Sequence, residues 1–291
     1  MATDELSLAR LESGLDALEL GEARPRGRAA RIWAATWPKL VAIGLVLLFW
    51  QIVVWSGWKP EFVLPGPSAA FSRLWRDLLH GDLLDATGVT VRRAFGDFAV
   101  ALVIGTALGV AVARNRVLRS GIGSMVTGLQ TMPSIAWFPL AILLFEQSER
   151  AVLFVVVFGA APSIANGIVS GVDHTPPILL RAGRVLGARG FASLRHVVLP
   201  AALPSFVSGL KQGWAFAWRS LMAGELLVSI GHVNSLGFRL YSARQTADAE
   251  GLLSTMIVIF VIGVVVDALI FGKLELWVRK RYGLIDNALA A

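Results

Sequence analysis

Residues 181–204 read RAGRVLGARGFASLRHVVLPAALP, a basic, polar interruption between two long apolar stretches in the second half of a 291-residue chain. Arg181, Arg184, Arg189 and Arg195 would each cost about 2.5–3.5 kcal/mol at the centre of a bilayer, so the stretch belongs outside the hydrocarbon, on the side where arginine is tolerated. It also carries internal order. Leu179, Leu180, Val185 and Leu186 recur at helical spacing, and Gly187 permits a break. Phe191 to Val198 can form a second short helix, which Pro200 and Pro204 are expected to stop. Two short helices meeting at a glycine make a knob that another protein can grip.

Working outward, the chain is 55% hydrophobic with a mean hydropathy of +0.65, more apolar than a soluble domain, and it belongs in a bilayer. The net charge of +7 does not point to nucleic acid. Its basic residues sit beside apolar segments, where the positive-inside bias and anionic lipid headgroups account for them. With no cysteine there is no disulfide, thiol chemistry or cysteine-type zinc site, and four scattered histidines form no ligand set. No metal is expected, and no catalytic residue is visible, because no nucleophile stands with a base at a workable spacing.

Six spans are expected, at about 40–57, 94–113, 122–145, 151–171, 205–230 and 252–272, each long enough for a hydrocarbon core of about 30 Å. Residues 1–39 read as a cytoplasmic tail with leucines at Leu6, Leu11, Leu15 and Leu18 and a basic patch at Arg24, Arg26, Arg28 and Arg31. Nothing in it resembles a cleavable secretory signal. Residues 40–291 form the membrane domain. Leu64-Pro65-Gly66-Pro67 makes a turn, and Phe71, Leu74, Trp75, Leu78 and Leu79 an interfacial amphipathic piece. Gly105 and Gly109 give the second span a small-residue face for close helix approach. Lysine and arginine number 17 on the side holding both ends and the 172–203 loop, against 8 on the other, which makes both termini cytoplasmic. Arg92 and Arg93, counted on the outer side, can alternatively begin the second span as snorkelling residues.

The 181–200 stretch resembles the cytoplasmic loop of permease subunits in binding-protein-dependent ABC importers. That loop reads Glu-Ala-Ala, three residues, Gly, nine residues, Ile, one residue, Leu-Pro. Here Ala182, Gly187, Val197, Leu199 and Pro200 keep the whole spacing, while Arg181 and Gly183 stand where the family has Glu and the second Ala. A further stretch, Gln130-Thr131-Met132-Pro133-Ser134-Ile135-Ala136-Trp137-Phe138-Pro139-Leu140, is similar to permeases for aliphatic sulfonates, taurine and nitrate. So is the Trp-Arg and Gly-Glu pattern around Trp218, Arg219 and Glu225. The resemblance covers about 64–282, with an importer-like core at about 87–282. It implies an all-α membrane protein of six transmembrane helices, the type I ABC importer permease fold, in the cytoplasmic membrane.

The same resemblance implies an assembly and a role. Two permeases, here as a homodimer, assemble with two ATP-binding subunits at the cytoplasmic loop and an extracytoplasmic solute-binding protein. Arg181, Ala182, Gly187, Phe191, Val197, Leu199 and Pro200 form the ATPase-coupling loop. No Walker-type glycine-rich loop occurs, so no cofactor is expected on this chain and ATP is left to the partner ATPase. Pathway candidates are Gln130, Pro133, Trp137, Trp218, Arg219 and Glu225. Two prolines in one span leave carbonyls unpaired, which suits a helix lining a cavity, though they can also merely kink it. Arg219 near mid-membrane either favours an anionic passenger such as a sulfonate or forms an ion pair with Glu225 or Asp97. An ion-coupled secondary transporter would instead show an inverted repeat with matching broken helices, and none is clear. Nitrate and vitamin precursors are alternative passengers within the family.

Overall fold

The computed structural model describes residues 28–228 and 233–282, and by its contacts the chain divides into residues 1–56 with 286–291, and residues 57–285. The leucine pattern and Arg24 and Arg26 of the basic patch lie outside the described residues, as does Ile230 at the end of the expected fifth span. In the first unit, α1 (Arg28–Trp55) starts earlier than the span expected from Leu40 and runs through Pro38. Its portion from Thr36 is long and apolar enough to cross a membrane.

The second unit begins with α2 (Pro67–His80), which Pro67 opens within its first turn, where no intrahelical N–H is needed. Gly81, at φ 85°, closes α2 and leads into α3 (Asp82–Arg114). Arg92 and Arg93 therefore lie well inside a helix that begins before the expected span, with Asp82 and Asp85 in its positive first turn. Asn115 caps α4 (Arg116–Thr131), its side chain accepting from the Val117 and Leu118 amides. Then the chain breaks. Met132 and Pro133 are extended, Ser134–Trp137 is a 3-10 turn, and α5 (Phe138–Phe145) completes the segment. The expected third span is thus two pieces: Pro133 interrupts it outright, while Pro139 sits harmlessly in the first turn of α5.

Next come α6 (Glu149–Asp173), α7 (Pro177–Val185), α8 (Leu199–Leu227), α9 (Leu236–Gln245), α10 (Ala249–Val266) and α11 (Lys273–Arg281), the last two joined by a π turn at Asp267–Gly272. Every regular element described is helical, and five helices qualify as spans by length and apolarity, with the shorter apolar Ser134–Phe145 beside them.

α6 is the centre, packed against α3 on one side and α8 on the other. Small residues set both distances. A methyl placed on Gly105 would lie 2.7 Å from the Ala161 carbonyl oxygen, and one on Gly167 would lie 2.8 Å from the Cα of Gly209. Backbone therefore meets backbone across both contacts, which is how helices associate where lipid removes the usual hydrophobic driving force. An aromatic group fills the remaining space, with Trp214 against Phe95, Phe98, Phe271 and Trp218.

Candidate coupling elbow and translocation face

Residues 177–200 form the expected knob, and its frame is specified by hydrogen bonds. α7 ends with Gly187 at φ 85°, where the Ala188 amide donates to the Gly183 carbonyl at 2.8 Å and the Gly187 amide to the Arg184 carbonyl at 3.1 Å. These are the two reverse bonds of a Schellman stop, which needs a left-handed residue at this point. Gly183 supplies the second constraint. A methyl there would meet Val197 Cγ2 at 2.8 Å, so the glycine standing at the family's alanine position lets the arms of the elbow close on each other.

The expected stop at Pro200 and Pro204 does not occur. Phe191–Leu227 is one 37-residue helical run, opened by Phe191–Ser193 and a π turn at Leu194–Val198. The Leu199 amide donates to the Leu194 carbonyl, five residues back, and this wider turn makes room before Pro200. Pro200 then lies within the first turn of α8, and Pro204 is carried as an internal proline. Outside this frame Val185 is 87% exposed, Leu186 86% and Phe191 69%, with Leu199, Arg181 and Ala182 also exposed. A cluster of large apolar side chains on a rigid, arginine-flanked knob has the character of an interaction surface.

The six pathway candidates fall into two groups. Glu225 and Trp218 are inside the protein. The Glu225 carboxylate has no exposed surface and accepts from the Thr90 hydroxyl at 2.8 Å, the Arg93 guanidinium at 3.2 Å and the Gly237 amide at 3.1 Å. Thr90 in turn accepts from the Leu236 amide, and Arg93 also reaches Glu149 at 2.8 Å. One carboxylate so ties α3, α8 and the start of α9 together, with Arg93 extending the tie to α6. Trp218 lies in the core near Trp214, ring centroids 6.2 Å apart.

Arg219 differs. Neither Glu225 nor Asp97 pairs with it in this chain. Its Nε–H donates to the Ala215 carbonyl at 2.9 Å, and its guanidinium sits 4.7 Å from the centre of the Phe216 ring, both on its own helix. Gln130, Pro133 and Trp137 surround the break before α5. Pro133 is exposed, Trp137 packs on Phe158 at 5.1 Å, and Gln130 turns toward α6. There its amide donates to Ser163 Oγ at 2.8 Å, and Asn166 donates to the Gln130 carbonyl oxygen. Ser163 and Asn166 in turn line a cleft of about 320 Å³ between α6 and α8, together with Ser170, Ser205, Ser208 and Gln212 among others.

Residues 101–279 match the family described as the inner membrane component of binding-protein-dependent transport systems. The chain belongs to that family. Its relatives include the bicarbonate transport system permease protein of Synechococcus elongatus, 29% identical over 245 residues, covering 80% of this chain and 86% of the relative. The nitrate import permease protein of Synechocystis is 26% identical over 240 residues, covering 79% and 85%. Among solved structures, a methionine ABC transporter in inward-facing conformations superposes with a TM-score of 0.56 at 22% identity, covering 68% of this chain and 96% of that one. The fold is therefore that of a type I ABC importer permease, and the chain is a multi-pass transport subunit of the inner membrane.

In this permease the cleft residues Ser163, Asn166, Ser205, Ser208 and Gln212 are not among those the sequence motifs single out, yet some of them carry a signal. Ser205, Ser208, Gln212 and Arg219 recur at helical spacing inside an apolar run. A second group without a motif is centred on Lys211, whose ammonium lies 3.5 Å from Asp267 and 3.8 Å from Glu275, with Arg279 completing the chain to Glu275. This charge set is internally neutral and links α8 to the π turn and α11.

Proposed function

We propose that this permease imports a small oxyanion, working as a homodimer in which two ATP-binding subunits grip the two elbows and an extracytoplasmic binding protein delivers the solute. The observation that carries the reading is the elbow: exposed Val185, Leu186 and Phe191 held on a frame fixed by Gly183 and Gly187. Such a frame suits force transmission because its two arms pack directly on each other at Gly183 and Val197. Closure of an ATPase dimer would draw two elbows together and rock the helices between inward-open and outward-open arrangements. The ATP chemistry stays on the partner, and this chain is the gate.

The passenger class is supported by the relatives named for bicarbonate and nitrate and by Arg219, a cation without a carboxylate partner among the described residues. Sulfonates share the three-oxygen head of these ions, so aliphatic sulfonates and taurine remain within the same class. Gln130, Trp137 and Arg219 are proposed to line the route, with Pro133 opening the backbone beside it. Trp218 and Glu225 are proposed to hold α8 in position.

Substituting Leu186→Glu and Phe191→Ser together tests the elbow. The permease should still reach the membrane, but affinity purification through a tag on this chain should lose the ATP-hydrolysing subunit that the unsubstituted protein retains. Undiminished recovery of that subunit, with normal uptake, would overturn the reading.

A further inference from the structure

Ser208, Gln212, Ala215 and Arg219 are exposed along one face of α8, at the four-three-four spacing of a helical stripe. A guanidinium and an amide at membrane depth cannot face lipid without a large cost, so this face looks onto water or protein. Arg219 lies about 10 Å along the helix from Gln212, at 1.5 Å per residue. The stripe thus joins a cation that no described carboxylate pairs, at one end, to the 320 Å³ cleft at the other.

The hydrogen bonds behind the cleft set its polarity. Asn166 Nδ2 donates to Gln130 Oε1, and Gln130 Nε2 donates to Ser163 Oγ. One lone pair of each acceptor is thereby used. The Ser163 hydroxyl proton and the second Asn166 amide proton remain to be donated. Ser205, Ser208 and Gln212 add donors across the gap, and none of the residues described as lining it is charged. A lining rich in free donors and empty of carboxylates solvates an anion. One without a cation does not trap it.

We infer that the face from Arg219 to the 163–166–208–212 cleft is a two-station route for a small oxyanion, an inference that rests on the anion-importer reading above. Arg219 gathers the ion by charge, and the neutral cleft receives it through hydroxyl and amide donors alone. Conduction needs both properties, binding strong enough to admit the ion and weak enough to release it. The cleft has room for a three-oxygen ion with part of its water shell.

The chain contains no cysteine, so a single Gln212→Cys or Ser208→Cys gives an unambiguous label. In the assembled complex in proteoliposomes, each is reacted with a negatively charged sulfonatoethyl methanethiosulfonate and with a positively charged trimethylammonioethyl analogue. The anionic reagent should react about tenfold faster, as expected where a local cation steers the approach, and added nitrate should slow it. Gln212→Glu should lower nitrate and bicarbonate uptake by about tenfold through like-charge exclusion at unchanged membrane abundance. Charge-blind labelling, or full uptake by Gln212→Glu, would overturn the route and leave the importer reading standing. Absence of any oxyanion uptake by the unsubstituted complex would sink the importer reading instead, and the labelling rates, which need no transport, would still decide the cleft's preference for negative charge.

Discussion

Arg219 and Glu225 sit six residues apart on one helix and are treated in opposite ways. Glu225 is enclosed and receives hydrogen bonds from Thr90, Arg93 and the Gly237 amide, donors contributed by other helices. Arg219 is exposed, and among the described residues its hydrogen bond to Ala215 and its ring contact with Phe216 stay on its own helix. A buried charge whose partners are all supplied by the fold is part of the frame. An exposed charge at membrane depth, left without a counter-ion among the described residues, is available to something that arrives and departs. Six residues turn the helix by about 240°, which is how one α-helix serves both purposes.

The sharpest way to break that contrast is Glu225→Ala. It removes the buried one of the two carboxylates on Arg93 and leaves the Thr90 hydroxyl and the Gly237 amide without their acceptor, and thermal unfolding of the purified permease should show a loss of about 3–5 kcal/mol. A loss no larger than that of Arg219→Gln would erase the distinction. Gly237→Ala comes next, because the added methyl would collide with the Glu225 side chain at the mouth of α9. About 1–3 kcal/mol of destabilisation is expected in the same measurement. Thr90→Val removes both the hydroxyl donor to Glu225 and the acceptor for the Leu236 amide, and should cost about 1–2 kcal/mol. Arg219→Gln should change stability by less than about 0.5 kcal/mol, as for an exposed site away from any structural network. Its effect should appear in anion uptake, where a several-fold fall at unchanged membrane abundance is expected, and unchanged uptake would assign Arg219 no role in transport.

Much of this architecture is written in local pattern, and the parts that are not depend on distant partners. The apolar runs around α3, α6, α8 and α10 locate the bundle, and the Gly105 and Gly109 pair announces a contact that the Ala161 and Ala165 backbone then makes. The elbow is legible because Gly187 and the spacing to Leu199-Pro200 are features of one short stretch. Pro200 and Pro204 mislead for a physical reason: a single widened turn at Leu194–Val198 absorbs the proline, and no residue type in that turn signals it. The third span reads as whole because hydropathy averages across Pro133, whereas the backbone there is extended. Glu225 cannot be assigned its partner from sequence at all, since Arg93 lies on another helix and is far away along the chain. The Ser208, Gln212 and Arg219 stripe is the converse case. Its period is plain in the sequence, and only the cleft wall contributed by α6 gives it meaning.

The uninterrupted run from Phe191 to Leu227 has a mechanical consequence. At 1.5 Å per residue it is a rod of about 55 Å, stiff along its axis and continuous from the elbow to Arg219. Along α6 it is met nearly backbone to backbone, Gly209 against Gly167 and Ala202 against Gly171, and farther on Ile164 and Val152 of α6 seat at Gly213 and Gly224. A thrust delivered at the elbow is therefore carried along the axis toward Arg219, as in a pushrod, and the π turn beside Pro200 and the internal Pro204 are the points where the rod can bend.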